Sequence, residues 1–433
     1  MAGSPQRDRT YLCIDLKTFY ASVECADRGL DPFTTKLVVA DPGRGRSTIC
    51  LAVSPAMKAA GVRNRCRVFE IPDGLDYIMA RPRMQRYMEV SAQIYGIYLQ
   101  FVSPDDIHPY SVDECFIDAT PYLGRYGVDA KGFANMLMGR VLDKTGICAT
   151  AGIGPNLFLA KVALDIVAKH AEDHIGVLDE ERFRREIWPH RPITDIWGIG
   201  PGIAERLARY NVHDLMGVAA LDEEILYREL GVNAEYLIDH AFGREPVTIA
   251  EIRAYRPAET SYVNGQVLPC DYTYDEAHLV LKEMVDASVL ELVARGQVTD
   301  HVSLHVGYAV EHPGRAAGRR SLRGGGGGSR KLTGHTNSFS KLMERIDALW
   351  DETVDPARPI RRINVGFGNL LPEEFATYDL FCDLDAEKRE RDLADAVLAV
   401  KDKFGKNALL KGMSLTPKGT ARERNEQVGG HHA

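Results

Sequence analysis

The segment YLCIDLKTFYASVE, Tyr11–Glu24, opens on a short apolar run that meets a carboxylate, Asp15, where the run ends. A run that brief, bounded by a charge, reads as a buried strand, and Phe19–Cys25 beyond it has helical spacing. PYSVDECFID, Pro109–Asp118, repeats the pattern in reverse order: the acidic pair Asp113-Glu114 precedes the apolar strand Cys115–Ile117. Carboxylates at the edge of a buried strand are costly unless they are paired or hold a cation. Successive strand residues face opposite sides of a sheet, so Asp113 and Glu114 serve one site only if a turn or strand start lies there. Pro109-Tyr110-Ser111 offers that turn. Asp15 or Asp113 alone is better explained as a turn cap. Together, three carboxylates from separate strands supply the hard oxygen donors that magnesium takes, with positions left for water and phosphates.

Outward from these segments, further strands are expected at Leu37–Ala40, Ile49–Val53 and Cys148–Ile153, and helices at Arg83–Tyr98, Phe133–Leu142 and Leu157–Lys169. DPGRGRS, from Asp41, is a turn-rich loop. Ser54-Pro55 ahead of AMKAAG gives an N-cap, a proline at the first helical position and a terminal Gly61, which predicts a short helix. Strands and helices alternating around the acids predict an α+β sheet with helices on one face. Thr194–Phe242 reads as wholly helical. Near Pro257 the composition shifts, which marks a linker over Ala250–Ala258. Beyond it Gln266–Leu268, Val302–Ala309 and Ile363–Phe367 read as strands of a second sheet in a separate domain. The run Gly324–Gly328 with Ser329 reads as flexible loop.

A chain of 433 residues exceeds one compact core and suggests about three or four units. Hydrophobic residues at 45% and charged residues at 26% are ordinary globular usage, which excludes wholesale disorder. The opening MAGSPQRDRT lacks the apolar stretch of a secretory signal, and no segment approaches a membrane span, so a cytoplasmic protein is expected. The eight cysteines form no C-x-x-C pair and read as reduced, buried and structural. A net charge of −8 opposes nucleic-acid binding, which needs clustered cations. Yet His312–Met343 contains Arg315, Arg319, Arg320, Arg323, Arg330, Lys331 and Lys341 without one acid. Such a run is either a solvated loop or a phosphate-contacting strip. ITDIWGIGPGIAERL, Ile193–Leu207, places Gly198 and Gly200 where backbone N–H groups can approach a phosphate with no Cβ in the way. An ordinary helix turn with a Gly-rich cap is the alternative.

DLKTFYASVE (Asp15–Glu24) and SVDECFID (Ser111–Asp118) resemble the two signature motifs of Y-family lesion-bypass DNA polymerases, closest to the UmuC-like bacterial branch. The resemblance runs from about Tyr11 to the C-terminus. It implies an α+β, multi-domain right hand: palm 10–20 and 81–172, fingers 21–80, and a helical thumb 173–245 with a helix-hairpin-helix. A linker 246–258, a separate α/β little finger 259–370 and a C-terminal extension 371–433 complete it. Asp15, Asp113 and Glu114 match the family's catalytic, metal-binding carboxylates, with the backbone carbonyl of Leu16 as a further ligand. Two Mg2+ ions are implied, with Mn2+ as a possible substitute. Phe19 and Tyr20 fall on the nucleotide-binding positions, Tyr20 on the steric gate that excludes a ribose 2′-hydroxyl. Lys58 and Lys169 align with the cations that reach the triphosphate.

Two departures stand out. Ala52 and Pro55 occupy positions where many relatives carry a hydroxyl residue and a tyrosine, so fewer side-chain phosphate contacts follow. Lys17 stands where other branches have a second acid, so it is not a ligand. Gly198 and Gly200 would grip the duplex from the thumb, and Arg315, Arg319, Arg320, Arg323, Arg330 and Lys331 from the little finger. In TYDLFCD (Thr377–Asp383), Asp379-Leu380-Phe381 is similar to the peptides that dock bacterial polymerases on the sliding clamp, or is a core-facing Leu-Phe pair.

The implied activity is template-directed, low-fidelity translesion synthesis in DNA repair. Its partners would be primer-template DNA, deoxynucleoside triphosphates and the sliding clamp, with no membrane and a cytoplasmic place at the nucleoid. Two rivals are a non-catalytic DNA-binding repair factor and another palm-type nucleotidyl enzyme such as a cyclase. Retention of all three acids and Tyr20 opposes the first, and the duplex-gripping elements oppose the second.

Overall fold

The computed structural model describes residues 9–257, 260–309, 325–378 and 383–432. The chain forms two compact units that divide after Tyr255. The first unit begins β1 (Tyr11–Leu16), α1 (Phe19–Ala26), β2 (Leu37–Val39), β3 (Ala52–Val53), α2 (Pro55–Ala59), β4 (Ile78–Ala80) and α3 (Met84–Tyr98). It continues β5 (Ile107–Pro109), β6 (Glu114–Asp118), α4 (Thr120–Tyr126), α5 (Ala130–Thr145), β7 (Ala149–Gly154), α6 (Leu157–Val162) and β8 (Ile175–Val177). Helices α7 (Glu180–Arg182), α8 (Pro201–Ala208), α9 (Leu215–Ala220), α10 (Glu223–Leu230), α11 (Ala234–Ala241) and α12 (Ile249–Ala254) close it.

The main sheet has the order β5-β6-β1-β7-β8, with β1 antiparallel to both neighbours. Alternate residues of β1 enter two different cores. Leu12, Ile14 and Leu16 pack with α3 and α5 through Ile94, Tyr98, Phe133 and Leu137. Tyr11 and Cys13 pack with Leu157, Ala160, Leu164 and Ile249. The sheet is therefore covered on both faces, not one, which is why its strand reads as a continuous apolar run rather than an alternating one. Glycines set the second layer. A Cβ at Gly152 would lie 2.1 Å from the Ala160 carbonyl oxygen, and one at Gly154 2.5 Å from the Ala160 nitrogen. Without side chains there, α6 lies hard against β7. The helical path then widens through a π turn, Ala163–Val167, and tightens again at Ala168–His170.

A small sheet, β3-β2-β4, carries its own core around Val38, Val53 and Met57. The Ser54 hydroxyl caps α2 by accepting from Met57 N at 3.2 Å. The expected strand Ile49–Val53 shortens to Ala52–Val53, while Ile49 bridges Arg67. Within the expected linker, Ile249–Ala254 instead folds as α12. Thr248 and Glu251 cap each other's backbone donors, and Ile249 is buried in the first unit. This reciprocal cap satisfies two of the helix's orphan N–H groups.

In the second unit, β9 (Ser261–Tyr272), β10 (Gln297–Tyr308), β11 (Gly326–Thr336) and β12 (Ile360–Gly368) form a sheet of order β11-β10-β12-β9, and β13 (Leu371–Pro372) pairs with β10. Helices α13 (Tyr274–Ala294) and α14 (Phe339–Thr353) bury one face of it around Trp350. α15 (Leu384–Phe404) adds Ala394 and Leu398 to that core, and α16 (Ala421–Asn425) hangs from the buried Glu283, whose Oε2 accepts from Thr420 N at 2.8 Å. The glycine run expected to be a flexible loop opens β11 instead, with Gly327 opposite His305. A Cβ at Gly327 would stand 2.1 Å from the Leu304 carbonyl oxygen, so glycine here permits close strand approach rather than looseness. Of the eight cysteines expected to be buried, Cys270 is exposed and Cys148 half-buried, Cys13, Cys25, Cys50, Cys66 and Cys115 are buried, and Cys382 lies outside the described residues.

Candidate active site

The β1–β6 register sets Asp15 directly opposite Glu114. Opposed residues of an antiparallel pair share a face, so both carboxylates rise on the same side of the sheet. Asp113 lies before the strand: Leu16 N donates to its carbonyl at 2.8 Å, and Tyr110 N and Ser111 N both donate to the Glu114 carbonyl, at 2.9 and 3.1 Å. The turn thus frees Asp113 from the pleat, and its carboxylate accepts from Ser111 Oγ at 2.6 Å. The three acids predicted from the sequence converge. The Asp15 carboxyl is pushed up to about 7, first by burial, then by Asp113 and Glu114, with Lys161 pulling the other way.

Among the described residues no group of three or more histidine, cysteine, aspartate or glutamate side chains forms a ready metal site. Magnesium does not require one, because it keeps waters and draws ligands from substrate phosphates. The donor set fits that ion on its chemistry: hard oxygens from Asp15 and Asp113, crowded enough that a divalent cation relieves their repulsion. Glu114 is held differently. Its Oε1 accepts from Cys13 Sγ at 3.1 Å, and its Oε2 takes Lys161 Nζ at 3.0 Å. Lys161 also binds Asp165 at 2.9 Å and is itself buried. Burial opposes its charge, but Asp165 and Glu114 more than offset that and raise it.

Near the acids stand residues that the sequence resemblance assigns to the nucleotide. Phe19 is buried, and the Tyr20 ring lies 5.7 Å from it and stacks on Tyr87 at 4.4 Å. Burial, then the charge of Asp113, raises the Tyr20 hydroxyl, while Arg65 lowers it. Burial lowers the Lys58 ammonium; Asp15 raises it, and Lys17 and Lys169 lower it further. Asp15, Lys17 and Lys169 therefore all lie within electrostatic reach of Lys58. The glycine-bearing turn ahead of α8 reaches this corner through Trp197, whose Nε1 donates to the Tyr110 hydroxyl at 3.0 Å. Gly198 has φ +86°, and Gly200 starts α8; at both, the space where a Cβ would sit is open. In the second unit, Arg330 and Lys331 stand on β11 and pair with Glu352 and Asp300. Arg315, Arg319, Arg320, Arg323, Asp379, Leu380 and Phe381 lie outside the described residues.

The description of the impB/mucB/samB family matches residues 14–165, and its C-terminal domain matches residues 259–380. DNA polymerase IV 2 of Bacillus subtilis (strain 168) is 30% identical over 441 residues, covering 98% of this chain and 99% of that protein. The chain belongs to the impB/mucB/samB family, a UmuC-like branch of the Y-family polymerases. DNA polymerase IV of Pelotomaculum thermopropionicum is likewise 30% identical, over 424 residues and 96% and 98% of the two chains. A solved Y-family DNA polymerase chimera shares the fold, with a TM-score of 0.63 at 19% identity, over 84% of this chain and 99% of that one.

Sequence reasoning about this Y-family chain missed two residues that touch the site. Lys161 carried a signal, a lone cation inside the apolar LFLAKVAL, because a charge so placed needs partners. Tyr87 carried none: it is one of several tyrosines in a helix, and only the packing of α3 on α1 brings it to Tyr20.

Proposed function

We propose that this Y-family DNA polymerase performs template-directed, lesion-tolerant DNA synthesis at the Asp15–Asp113–Glu114 corner. The observation that carries the reading is the strand register, which seats Asp15 opposite Glu114 with Asp113 at the turn beside them. Asp15, Asp113 and the Leu16 carbonyl would hold one Mg2+, and Glu114 would contribute to the second. Bound there, two such ions activate the primer 3′-hydroxyl and stabilise the leaving phosphate oxygen. Lys58 and Lys169, with Lys17 beside them, supply positive charge for the triphosphate tail. Tyr20 closes the sugar side. The 3′-hydroxyl attacks the α-phosphate, a P–O bond forms, and pyrophosphate leaves.

DNA would be held by phosphate contacts at the open backbone of Gly198 and Gly200. The sheet face of the second unit turned away from α13 and α14 would add a further contact. There His301, Ser303 and His305 of β10 run beside Arg362 and Asn364 of β12, a stretch without a carboxylate. Asp379-Leu380-Phe381 would be the clamp peptide. No helix among the described residues is long and apolar enough to cross a membrane.

Primer extension with Mg2+ and four deoxynucleotides tests this reading, with wild type beside Asp113→Ala and Glu114→Ala. Robust extension by wild type and none by either variant is expected. Extension surviving both substitutions would sink the assignment.

A further inference from the structure

The corner where the three acids meet has to hold its shape before any cation arrives. Asp15 and Glu114 face each other across the β1–β6 ladder, and Asp113 stands beside them on the turn. Like charges brought together repel, and Asp113 alone of the three lies outside a strand, so the turn is the part that can give way. The Asp113 carboxylate accepts from Ser111 Oγ of the same turn, a bond that ties it to nothing further off. One side of the turn is fixed to β1 by Leu16 N, which donates to the Asp113 carbonyl. The other side is fixed through Tyr110. That residue is 46% exposed, and water could serve its hydroxyl. Instead the hydroxyl accepts from Trp197 Nε1 at 3.0 Å, and the two rings meet edge to face, centroids 5.9 Å apart and planes at 79°, a favoured geometry for an aromatic pair. Tyr110 meets the buried Phe116 of β6 in the same way, at 5.7 Å and 80°. Trp197 is not free to follow the turn if it moves. Ile196 before it and Ile199 after it are buried among α6 and the helices that follow, and His240 of α11 stacks on it at 5.9 Å while lying on Phe158 of α6 at 4.0 Å.

We infer that Tyr110, pinned by Trp197, is a positioning residue for the metal-binding carboxylates, bracing the Asp113–Glu114 turn against the repulsion of Asp15. The inference rests on the reading of these acids as the Mg2+ site. Without the brace the acids would spread, and a cation would first have to draw them together. Metal affinity would then fall, because the site is no longer preorganised, while the reaction would proceed as before once the metal is bound.

Two variants remove the bond and keep an aromatic ring at both positions: Tyr110→Phe deletes the acceptor and Trp197→Phe the donor. Two measurements on the full chain test them, Mn2+ affinity from the electron paramagnetic resonance signal of the free ion, and primer extension titrated with Mg2+. In each variant Mn2+ should bind about fivefold more weakly, or ~1 kcal/mol, the usual worth of one such bond. Half-saturating Mg2+ should rise by the same factor, with kcat at saturating Mg2+ within about twofold of wild type. The double variant should be no worse than either single one, because all three lack the same bond. Asp113→Ala is the control. If it binds Mn2+ as wild type does, the acids are not the metal site and the inference fails with that reading. If Asp113→Ala loses Mn2+ but both phenylalanine variants bind it normally, or lower kcat with half-saturating Mg2+ unmoved, Tyr110 and Trp197 merely pack together and the inference alone is overturned. Should Trp197→Phe not fold, by its far-ultraviolet dichroism, Tyr110→Phe decides the same question at the half-exposed end of the bond.

Discussion

Asp15 and Glu24 belong to one short motif, yet their carboxylates live in opposite electrostatic worlds. Glu24 is fully buried and answered by two arginines and a tyrosine hydroxyl. Asp15 faces two further acids, and the nearest cation, Lys161, is already shared between Glu114 and Asp165. Burial is costly for both, but only Glu24 is compensated within the fold. An acid surrounded by its own counter-ions is holding helices together. An acid crowded by other acids is waiting for a cation that the chain does not supply, and that asymmetry separates the frame of this enzyme from its working corner.

The sharpest way to break the contrast is Asp15→Asn. Extension should drop on the order of a thousandfold, since several kcal/mol of charge stabilisation at the reacting oxygens is lost. Stability should move the other way. A folded-state carboxyl raised from 3.8 to about 7 binds its proton more tightly when folded, so metal-free wild type loses stability as pH rises through that window, at ~1.4 kcal/mol per unit. Asp15→Asn, with no proton to lose, should be flat between the two values and more stable than wild type at pH 8 in EDTA. Added Mg2+ should restore wild type by binding the folded state alone. Urea midpoints across pH, with and without EDTA, measure both effects; a wild-type stability that does not fall toward pH 7 would remove the frustration on which the contrast depends.

How much of this was written in the sequence follows from which contacts are local. The meeting of Asp15, Asp113 and Glu114 was legible because each sits at a strand edge within a contiguous motif, and the antiparallel register does the rest. Lys161 and Tyr87 were not, because each arrives on another helix: one is pressed down by the bare backbone of Gly152 and Gly154, the other by the packing of α3. The Gly326–Gly328 run misled because glycine serves both slack loops and tight strand contacts, and only the neighbouring Leu304 carbonyl tells which. The helix inside the expected linker could have been seen, since Thr248 with Glu251 three residues on is a capping pair. The arginines from Arg315 to Arg323 lie beyond what the structure describes, so the basic run retains only Arg330, Lys331 and Lys341 in view, all three already paired.

Within the compensated frame, Glu24→Ala should cost about 2–3 kcal/mol. The arginines are partly exposed and can rehydrate, so the larger loss is the Tyr87 hydroxyl, left buried without its acceptor. A lowered unfolding midpoint that is the same with and without Mg2+ is expected, which distinguishes this site from Asp15. A midpoint that shifted only in EDTA would place Glu24 with the working corner and collapse the distinction.

The smallest effect should come from Asp27, at the rim of the same frame. It binds Arg83 at 2.7 Å and Arg86 at 2.8 Å, but both arginines are 40% exposed. Hydrogen bonds from Arg86 and then Arg83 hold its carboxyl below the ordinary range against a burial that would raise it. Its folded pKa thus lies under its unfolded one, the reverse of Asp15, so its contribution is present above the unfolded value of about 4 and vanishes as pH falls through the folded one. Solvent screening of the arginines limits that contribution to under about 1 kcal/mol. Asp27→Asn should therefore lower the midpoint slightly and evenly from pH 8 to about 5, with the difference shrinking as the pH falls below the unfolded value of about 4. A difference that instead widened toward acid would mean that Asp27 is protonated early in the folded state, and that the frame is no better compensated at its edge than the corner it supports.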